Sequence, residues 1–376
     1  MTVQLFVPGE TRLHEKRVAL VPVVAEKLTK LGIEISLQPG AGEAARIPDA
    51  AYEKAGVRVA EPPAGVDLVF RVQPPSIEEI EQMKPGTVLC CFVYAHREAP
   101  IVQALRDHRI TCFAMELVPR ITRAQAMDAL SSQAALAGYY AALLAATNLN
   151  RILPMMTTAV GSLRPARILV MGAGVAGLQA LATAKRLGAI VEGYDVRPEV
   201  KEQVESVGGK FVDTGVSASG TGGYARELTS EEQAKVDEVL TRHIQTADAV
   251  ITTASIPGRP SPKIISESQI RGMKPGSVII DLAAEGGGNT PLTEPGDTVE
   301  IGPVTIVAPL NIPSHLAEHA SELYSRNLLA LIGLMVKDGE LNIDWEDEVL
   351  TGAVLTHDGE IKNEAARKAV ETTTGA

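Results

Sequence analysis

Eleven residues, Arg167-Ile-Leu-Val-Met-Gly-Ala-Gly-Val-Ala-Gly177, and an aspartate eighteen positions on, Asp195, carry the plainest chemistry of the chain. An apolar run ends in glycines at 172, 174 and 177, and a second apolar run, Ile190–Tyr194, leads into Asp195. The pattern reads as strand, tight turn, helix and second strand. Gly172 allows the turn, Gly174 lets the backbone approach a pyrophosphate, and Gly177 lets the helix pack closely on the strand. The helix N-terminus offers free N–H groups and the positive end of its dipole to phosphate oxygens. Asp195 can accept both hydroxyls of an adenosine ribose and would repel a 2′-phosphate, which selects NAD(H). The expected contact set is Gly172, Gly174, Val175, Ala176 and Gly177, with Asp195, Val196 and Arg197. Arg197 in this reading faces a pyrophosphate or solvent, not a 2′-phosphate.

A second candidate lies further on. Asp213-Thr-Gly-Val-Ser-Ala-Ser-Gly-Thr-Gly-Gly-Tyr-Ala-Arg226 holds four glycines and one aromatic residue. It reads either as a surface loop or as a lid near 213–229 that folds over bound nucleotide through Gly223 and Tyr224. His315-Leu-Ala-Glu-His319 matches a zinc-site spacing on one helical face. It has no evident third ligand and sits near an expected domain hinge, so no metal site is assigned.

These groups need a scaffold, and the alternation of segments supplies one. Val3–Val7, Glu34–Leu37, Leu68–Val72, Thr87–Val93 and Ile110–Phe113 read as strands. Val23–Leu31, Ile77–Met83 and Ala99–Asp107 read as the intervening helices. A long helical pattern runs from Arg123 to about Asn148, with the small-residue run Ala134–Gly138 suited to close packing. Ala249–Thr252, Ser277–Leu282 and Val304–Val307 continue as strands, and Ala317–Val336 as another long helix. The expected fold is α/β: two Rossmann-like, doubly wound parallel-sheet domains separated by a cleft. The first is discontinuous, 1–130 plus 315–376; the second, 131–314, binds the nucleotide.

Bulk properties exclude several classes. A net charge of −11 over 376 residues argues against nucleic acid and anionic lipid surfaces. Cys90, Cys91 and Cys112 lie in apolar runs and cannot all pair, which suits reduced, buried thiols in a cytoplasmic compartment. The start shows no basic leader, and Ala134–Ala146 and Leu328–Val336 are too short to span a bilayer.

Several longer motifs resemble one family. Pro8-Gly-Glu-Thr-Arg-Leu-His-Glu-Lys-Arg-Val-Ala-Leu-Val-Pro22 and the glycine fingerprint resemble the alanine dehydrogenase superfamily. Pro119–Gln133, Gly177–Gly188, Lys201–Phe211, Gly222–Ala225 and Met273–Leu282 are most similar to the NAD(H)-binding component of proton-translocating nicotinamide nucleotide transhydrogenases. The resemblance implies that Arg120, Gln125, Asp128 and Ser131 hold the nicotinamide ring and that Tyr224 tips a mobile lid. From spacing alone, Gln125 could instead complete a capping box begun at Thr122, and Asp128 could be a solvated carboxylate in a first helical turn. The resemblance further implies a homodimer. It also implies an NADP(H)-binding transhydrogenase subunit and a membrane-spanning subunit as partners, with this chain peripheral on the inner face of the cell membrane.

Absences point the same way. Alanine dehydrogenases place a lysine, a histidine and an aspartate around the reacting carbon; the matching positions here are Gln73, Tyr94 and Glu285, although Arg17 matches the arginine that binds the substrate carboxylate. His96, near Tyr94, could be a shifted substitute. Reductive amination needs proton transfer beside the hydride, and without an acid–base group it should fail. Hydride transfer between two nicotinamides needs none, because no oxygen or nitrogen changes protonation. The expected function is therefore direct hydride transfer between NADH here and NADP+ on a partner. The rivals are an amino-acid dehydrogenase and a non-catalytic NAD sensor.

Overall fold

The computed structural model describes residues 2–62, 65–216, 228–255, 259–337 and 339–374. The chain divides into two compact units, Met1–Gln133 with Pro313–Ala376, and Ala134–Ile312.

The first unit is built on an eight-stranded sheet in the order Glu360–Ile361, Val354–His357, Thr111–Ala114, Val88–Cys91, Leu68–Phe70, Val3–Val7, Ile33–Leu37, Arg58–Val59. Pairing is parallel from Thr111–Ala114 to Arg58–Val59, and the two C-terminal strands add antiparallel at the other edge. The central strands Leu68–Phe70 and Val88–Cys91 are apolar at every position because both faces are covered. Val88 and Cys90 point into one core with helices Pro22–Lys30 and Ala317–Ile332. Leu89, Cys91 and Cys112 point into the opposite core with helix Ala99–Asp107 and with Ala366 and Val370 of helix Glu364–Thr374. All three cysteines are free and buried.

The second unit holds a seven-stranded sheet: Lys210–Phe211, Ile190–Tyr194, Arg167–Met171, Ala249–Thr252, Val278–Asp281, Val304–Val307, Thr298–Ile301. Only the last strand is antiparallel. Ile168, Val170 and Ile251 face one core, which includes Ala141, Ala142 and Ala145 of the long helix. Leu169, Met171 and Val250 face the other, with Val236, Leu240 and Ile244 of helix Ser230–Thr246. Both sheets are those of Rossmann-like folds.

The long helix differs from the sequence expectation. It does not run unbroken from Arg123: a 3-10 segment, Thr122–Met127, ends at Asp128, and the α-helix spans Ala129–Asn148. Asp128 leaves the helical region at ψ 85°, and its carboxylate accepts from the Ser131 N–H at 2.8 Å and the Ser131 hydroxyl at 2.6 Å. That is an N-cap, and it starts a new helix where hydropathy showed only continuity. The helix Ala317–Ile332 also stops short of Val336, which enters a two-strand ribbon with Glu340–Leu341. An exposed hairpin, Met156–Thr158 with Gly161–Leu163, had no counterpart in the sequence reading.

Candidate functional site

The glycine turn sits where strand order reverses. Arg167–Met171 pairs with Ile190–Tyr194 on one side and with Ala249–Thr252 on the other, so the chain winds outward in both directions from it. In doubly wound sheets the ligand crevice opens at this point, beyond the carboxyl ends of the strands.

Each glycine here has its own reason. Gly172 adopts φ +95°, and a Cβ on it would lie 2.6 Å from the Thr253 hydroxyl oxygen, which itself donates to the Gly172 carbonyl at 2.8 Å. A Cβ on Gly177 would fall 1.8 Å from the Gly172 carbonyl oxygen. Around Gly174 a Cβ would meet nothing within 4 Å among the described residues. Two glycines are therefore demanded by the protein's own packing, while the third borders open space. Gly174 is also the N-cap of helix Val175–Arg186 and supplies no side-chain cap to the first-turn N–H groups. The resulting cradle suits a pyrophosphate: an open approach, uncapped donors and the dipole's positive end. The same helix start is braced from outside, since a Cβ on Gly138 would lie 2.0 Å from the Ala176 carbonyl oxygen.

Asp195 closes the site and is buried. Its Oδ2 accepts from the Ala173 N–H at 2.9 Å and from Arg197 Nη2 at 2.9 Å; its Oδ1 accepts from the Arg197 N–H at 3.0 Å and Nε at 2.8 Å. Burial would raise this carboxyl, but the hydrogen bonds from Arg197 and Ala173 outweigh it and hold Asp195 below the usual carboxylate range. The four acceptor positions are filled, so a ribose bidding for them must displace the Arg197 side chain. Val196 packs against the adjoining core. Gly223 and Tyr224 fall outside the described residues.

The segment matched to ring binding lies in the first unit. Arg120 and Gln125 are exposed, and Asp128 and Ser131 are half-buried and bonded to each other. The 3-10 segment begins after Ile121 with no side-chain cap, so Gln125 does not serve a capping box. Asp128 does cap a helix, a structural duty that leaves its role toward a ring open to the same side chain.

The positions matched to the amino-acid dehydrogenases carry other duties. Arg17 forms a buried ion pair with Glu15 at 2.6 Å and donates to Gln133 at 2.9 Å. Gln73 donates from its amide side chain to Glu15 at 2.8 Å. Tyr94 adopts φ 54°, stacks on Phe92 with ring centroids 5.5 Å apart, and donates its backbone N–H to Glu116. Glu285 accepts from the Asn311 N–H at 2.9 Å. His96 is exposed. Among the described residues no group of three or more His, Cys, Asp or Glu is placed to hold a metal, and no helix is long and apolar enough to cross a membrane.

Two residues beside the glycine turn carried no signal of their own in the sequence. Asn289 is fully buried, accepts from the Ala254 N–H at 3.1 Å, and donates to the carbonyls of Ala254 and Pro262, both at 2.8 Å. It shapes the backbone that follows strand Ala249–Thr252. Thr253, which clamps the Gly172 carbonyl, is the other. Both act across tens of residues of sequence, and only the neighbouring Gly286-Gly-Gly288 run hinted at a tight turn there.

Comparison with known proteins bears on the whole chain. Residues 6–137 match the family model "Alanine dehydrogenase/PNT, N-terminal domain", and residues 141–364 match "Alanine dehydrogenase/PNT, C-terminal domain". The chain is 47% identical to an NAD(P) transhydrogenase subunit alpha polypeptide of Rhodospirillum rubrum, covering 96% of this chain and 98% of that one. It is 40% identical to NAD(P) transhydrogenase subunit alpha of Haemophilus influenzae, covering 94% of this chain and 70% of that longer one. A crystal structure of transhydrogenase from Sinorhizobium meliloti superposes with a TM-score of 0.85 at 42% identity, over 96% of this chain and 99% of that one.

Proposed function

The chain belongs to the alanine dehydrogenase/PNT family, and from that premise we propose that it is the NAD(H)-binding component of a proton-translocating NAD(P) transhydrogenase. It is an oxidoreductase subunit acting within a multi-subunit complex, exchanging hydride between NADH and NADP+. The observation that carries the reading is the open glycine turn at the switch point of the second sheet, with an uncapped helix start and Asp195 beside it. NADH enters as substrate. Gly172, Gly174, Val175, Ala176 and Gly177 would receive its pyrophosphate, and Asp195 its adenosine ribose once Arg197 swings aside. Val196, Gly223 and Tyr224 complete the proposed contact set. Arg120, Gln125, Asp128 and Ser131 would orient the ring by hydrogen bonds to its carboxamide.

The reaction moves one hydride from the reduced ring of NADH to the oxidised ring of NADP+, leaving NAD+ and NADPH. No proton is gained or lost at either ring, so the protein's work is positioning and the exclusion of water. This fits positions 73, 94 and 285, where glutamine, tyrosine and glutamate each make structural bonds. In the same reading NADP(H) sits on a partner subunit, a further subunit spans the membrane, and this chain is peripheral on the cytoplasmic face. A homodimer belongs to the proposal too. Hairpin residues Met156, Val160 and Leu163 are exposed, Val160 at 99%, as suits apolar surface awaiting a second copy. Sedimentation velocity of the pure chain would show a single dimer; a monomer at micromolar concentration would remove that element.

The test follows NADPH-driven reduction of an NAD analogue, first with the chain alone, then with an NADP-binding transhydrogenase subunit. The expected result is activity in the mixture alone, and Gln125→Asn should cut the transfer rate about tenfold with NADH affinity nearly unchanged. Equal losses in both would sink the positioning role. Turnover by the chain alone with an oxo acid and ammonium would favour the dehydrogenase reading.

A further inference from the structure

Asn327 lies in helix Ala317–Ile332, is 7% exposed, and has Leu328 and Leu331 as buried neighbours on that helix. Asparagine is a poor helix former, and a buried amide is costly unless its donors and acceptor are used. Here they are used. Nδ2 donates to the Ala126 carbonyl at 2.8 Å, and Oδ1 accepts from the Ser132 hydroxyl at 2.8 Å. Those two partners bracket Asp128. Ala126 belongs to the last turn of the 3-10 segment, where carbonyls lack an intrahelical partner, and Ser132 lies in the first turn of the helix that follows. One side chain thus pins both arms of the bend that carries Asp128 and Ser131.

The bracket is itself anchored. Gln133 donates to the Ser132 hydroxyl at 3.3 Å and to the Ala320 carbonyl at 3.1 Å, and accepts from Arg17 at 2.9 Å. Arg17 is locked to Glu15, which also accepts from Ser314 at 2.6 Å. The chain of bonds runs from Ser314 to Ala126; the Ser132 hydroxyl also lies 3.1 Å from the Ala129 carbonyl, so Asn327, at 2.8 Å, is its nearer acceptor.

We propose that Asn327 is a positioning residue for hydride transfer, holding the Asp128–Ser131 bend in the geometry that receives the nicotinamide ring. This rests on the function proposed above. Asn327 acts through the bend and touches no substrate.

Asn327→Asp keeps size and shape but replaces the Nδ2 donor with an oxygen facing the Ala126 carbonyl. Ser321→Ala is the control: Ser321 is a buried serine of the same helix that bonds to Val18 and Ala317, away from the bend. Two readouts are taken on the full chain. Amide hydrogen exchange over residues 126–132 needs no partner and no turnover. Hydride transfer to partner-bound NADP+ is measured beside the NADH dissociation constant.

Asn327→Asp should speed exchange at Ser131 and Ser132 tenfold or more and slow transfer tenfold or more, with the dissociation constant changed less than twofold. Ser321→Ala should do neither, even where it lowers Tm. Unchanged exchange at the bend would overturn the proposal, as would a transfer loss that follows NADH affinity or one that Ser321→Ala reproduces. Should Asn327→Asp fail to fold, Ser132→Ala releases the other arm and is held to the same outcomes. If wild type transfers no hydride although exchange responds as stated, the function proposed above fails while the bracket stands as a structural device.

Discussion

The two sheets share one winding and differ at the turn after their central strand. In each, six parallel strands run outward in both directions from the first, Val3–Val7 in one unit and Arg167–Met171 in the other. After Val7 the chain reads Pro8-Gly-Glu10, and the Glu10 side chain turns back to accept the N–H groups of Val72 at 2.6 Å and Gln73 at 3.2 Å, beyond strand Leu68–Phe70. Arg71 is buried beside it, paired with Glu79 and 3.8 Å from Glu10. In the first unit the protein's own Glu10 thus takes the backbone N–H groups beyond the strand ends, beside a cavity of about 400 Å³ lined by Pro8, Gln38, Arg71 and Glu79. After Met171 the chain reads Gly-Ala-Gly, and among the described residues nothing lies within 4 Å of a Cβ placed on Gly174. The fold is common to both units; in the function proposed above, the capacity for a dinucleotide lies in three residues of one turn.

The largest expected effect separates the turns by stability. Gly177→Ala forces a Cβ onto backbone at 1.8 Å and should cost about 3 kcal/mol, whereas Gly9→Ala meets nothing nearer than 3.6 Å and should stay within about 0.5 kcal/mol. Urea unfolding of both variants measures the difference, and equal losses would end the contrast.

Next in size is a functional effect without a structural one. Gly174→Ala should leave Tm unchanged and weaken NADH about tenfold, or about 1.4 kcal/mol, by intruding on the pyrophosphate. A fall in Tm with unchanged affinity would make Gly174 a packing glycine like its neighbours.

Buried Glu10 should announce itself in pH dependence. Burial raises Glu10 from 4.5 to about 7 despite Arg71, so the folded state holds its proton more tightly than the unfolded chain. Its contribution is present below pH 4.5 and is lost as pH rises toward 7. Glu15 runs the other way. Burial would raise it, but bonds from Arg17, Ser314 and Gln73 bring it to about 2, so its contribution is present above 4.5 and is lost as pH falls toward 2. Glu10→Gln should flatten the decline between pH 4.5 and 7 and leave the acid limb intact; an unchanged profile would show that Glu10 is not buried as described.

The smallest effect belongs to the surface. Arg123 grips Asp347 at 2.8 Å but is 44% exposed, so water screens the pair and Arg123→Ala should barely move Tm. A clear fall in Tm would mean that the 3-10 segment Thr122–Met127 depends on the C-terminal residues as much as on Asn327.

Legibility followed the range of the interactions. The apolar strands and the glycine turn could be read because their signals are local: Ile168–Met171 and the spacing of 172, 174 and 177 stand within ten residues. Arg58–Val59 and Val336–Lys337 were not legible, since two residues carry no periodicity. The break at Asp128 was hidden by the alanine-rich run after it, where composition favours helix on either side and only the bond to Ser131 marks the start. Nothing local announces that Asn327 reaches Ala126 across 201 positions, or that Arg17 reaches Gln133 across 116. Arg197 lay in the motif, yet its hold on Asp195 is a matter of rotamer that spacing does not encode.

The most direct test uses NADH carrying deuterium on the transferred face of its ring. The wild-type chain, mixed with an NADP-binding transhydrogenase subunit and NADP+ in ordinary water, should pass the label intact to the NADPH formed. Asp195→Ala should slow that transfer at low NADH and approach the wild-type rate at saturation. NADPH formed without the label would contradict direct transfer between two bound rings. A label that passes equally fast at low NADH in Asp195→Ala would contradict the assignment of the nucleotide to the second unit's glycine turn.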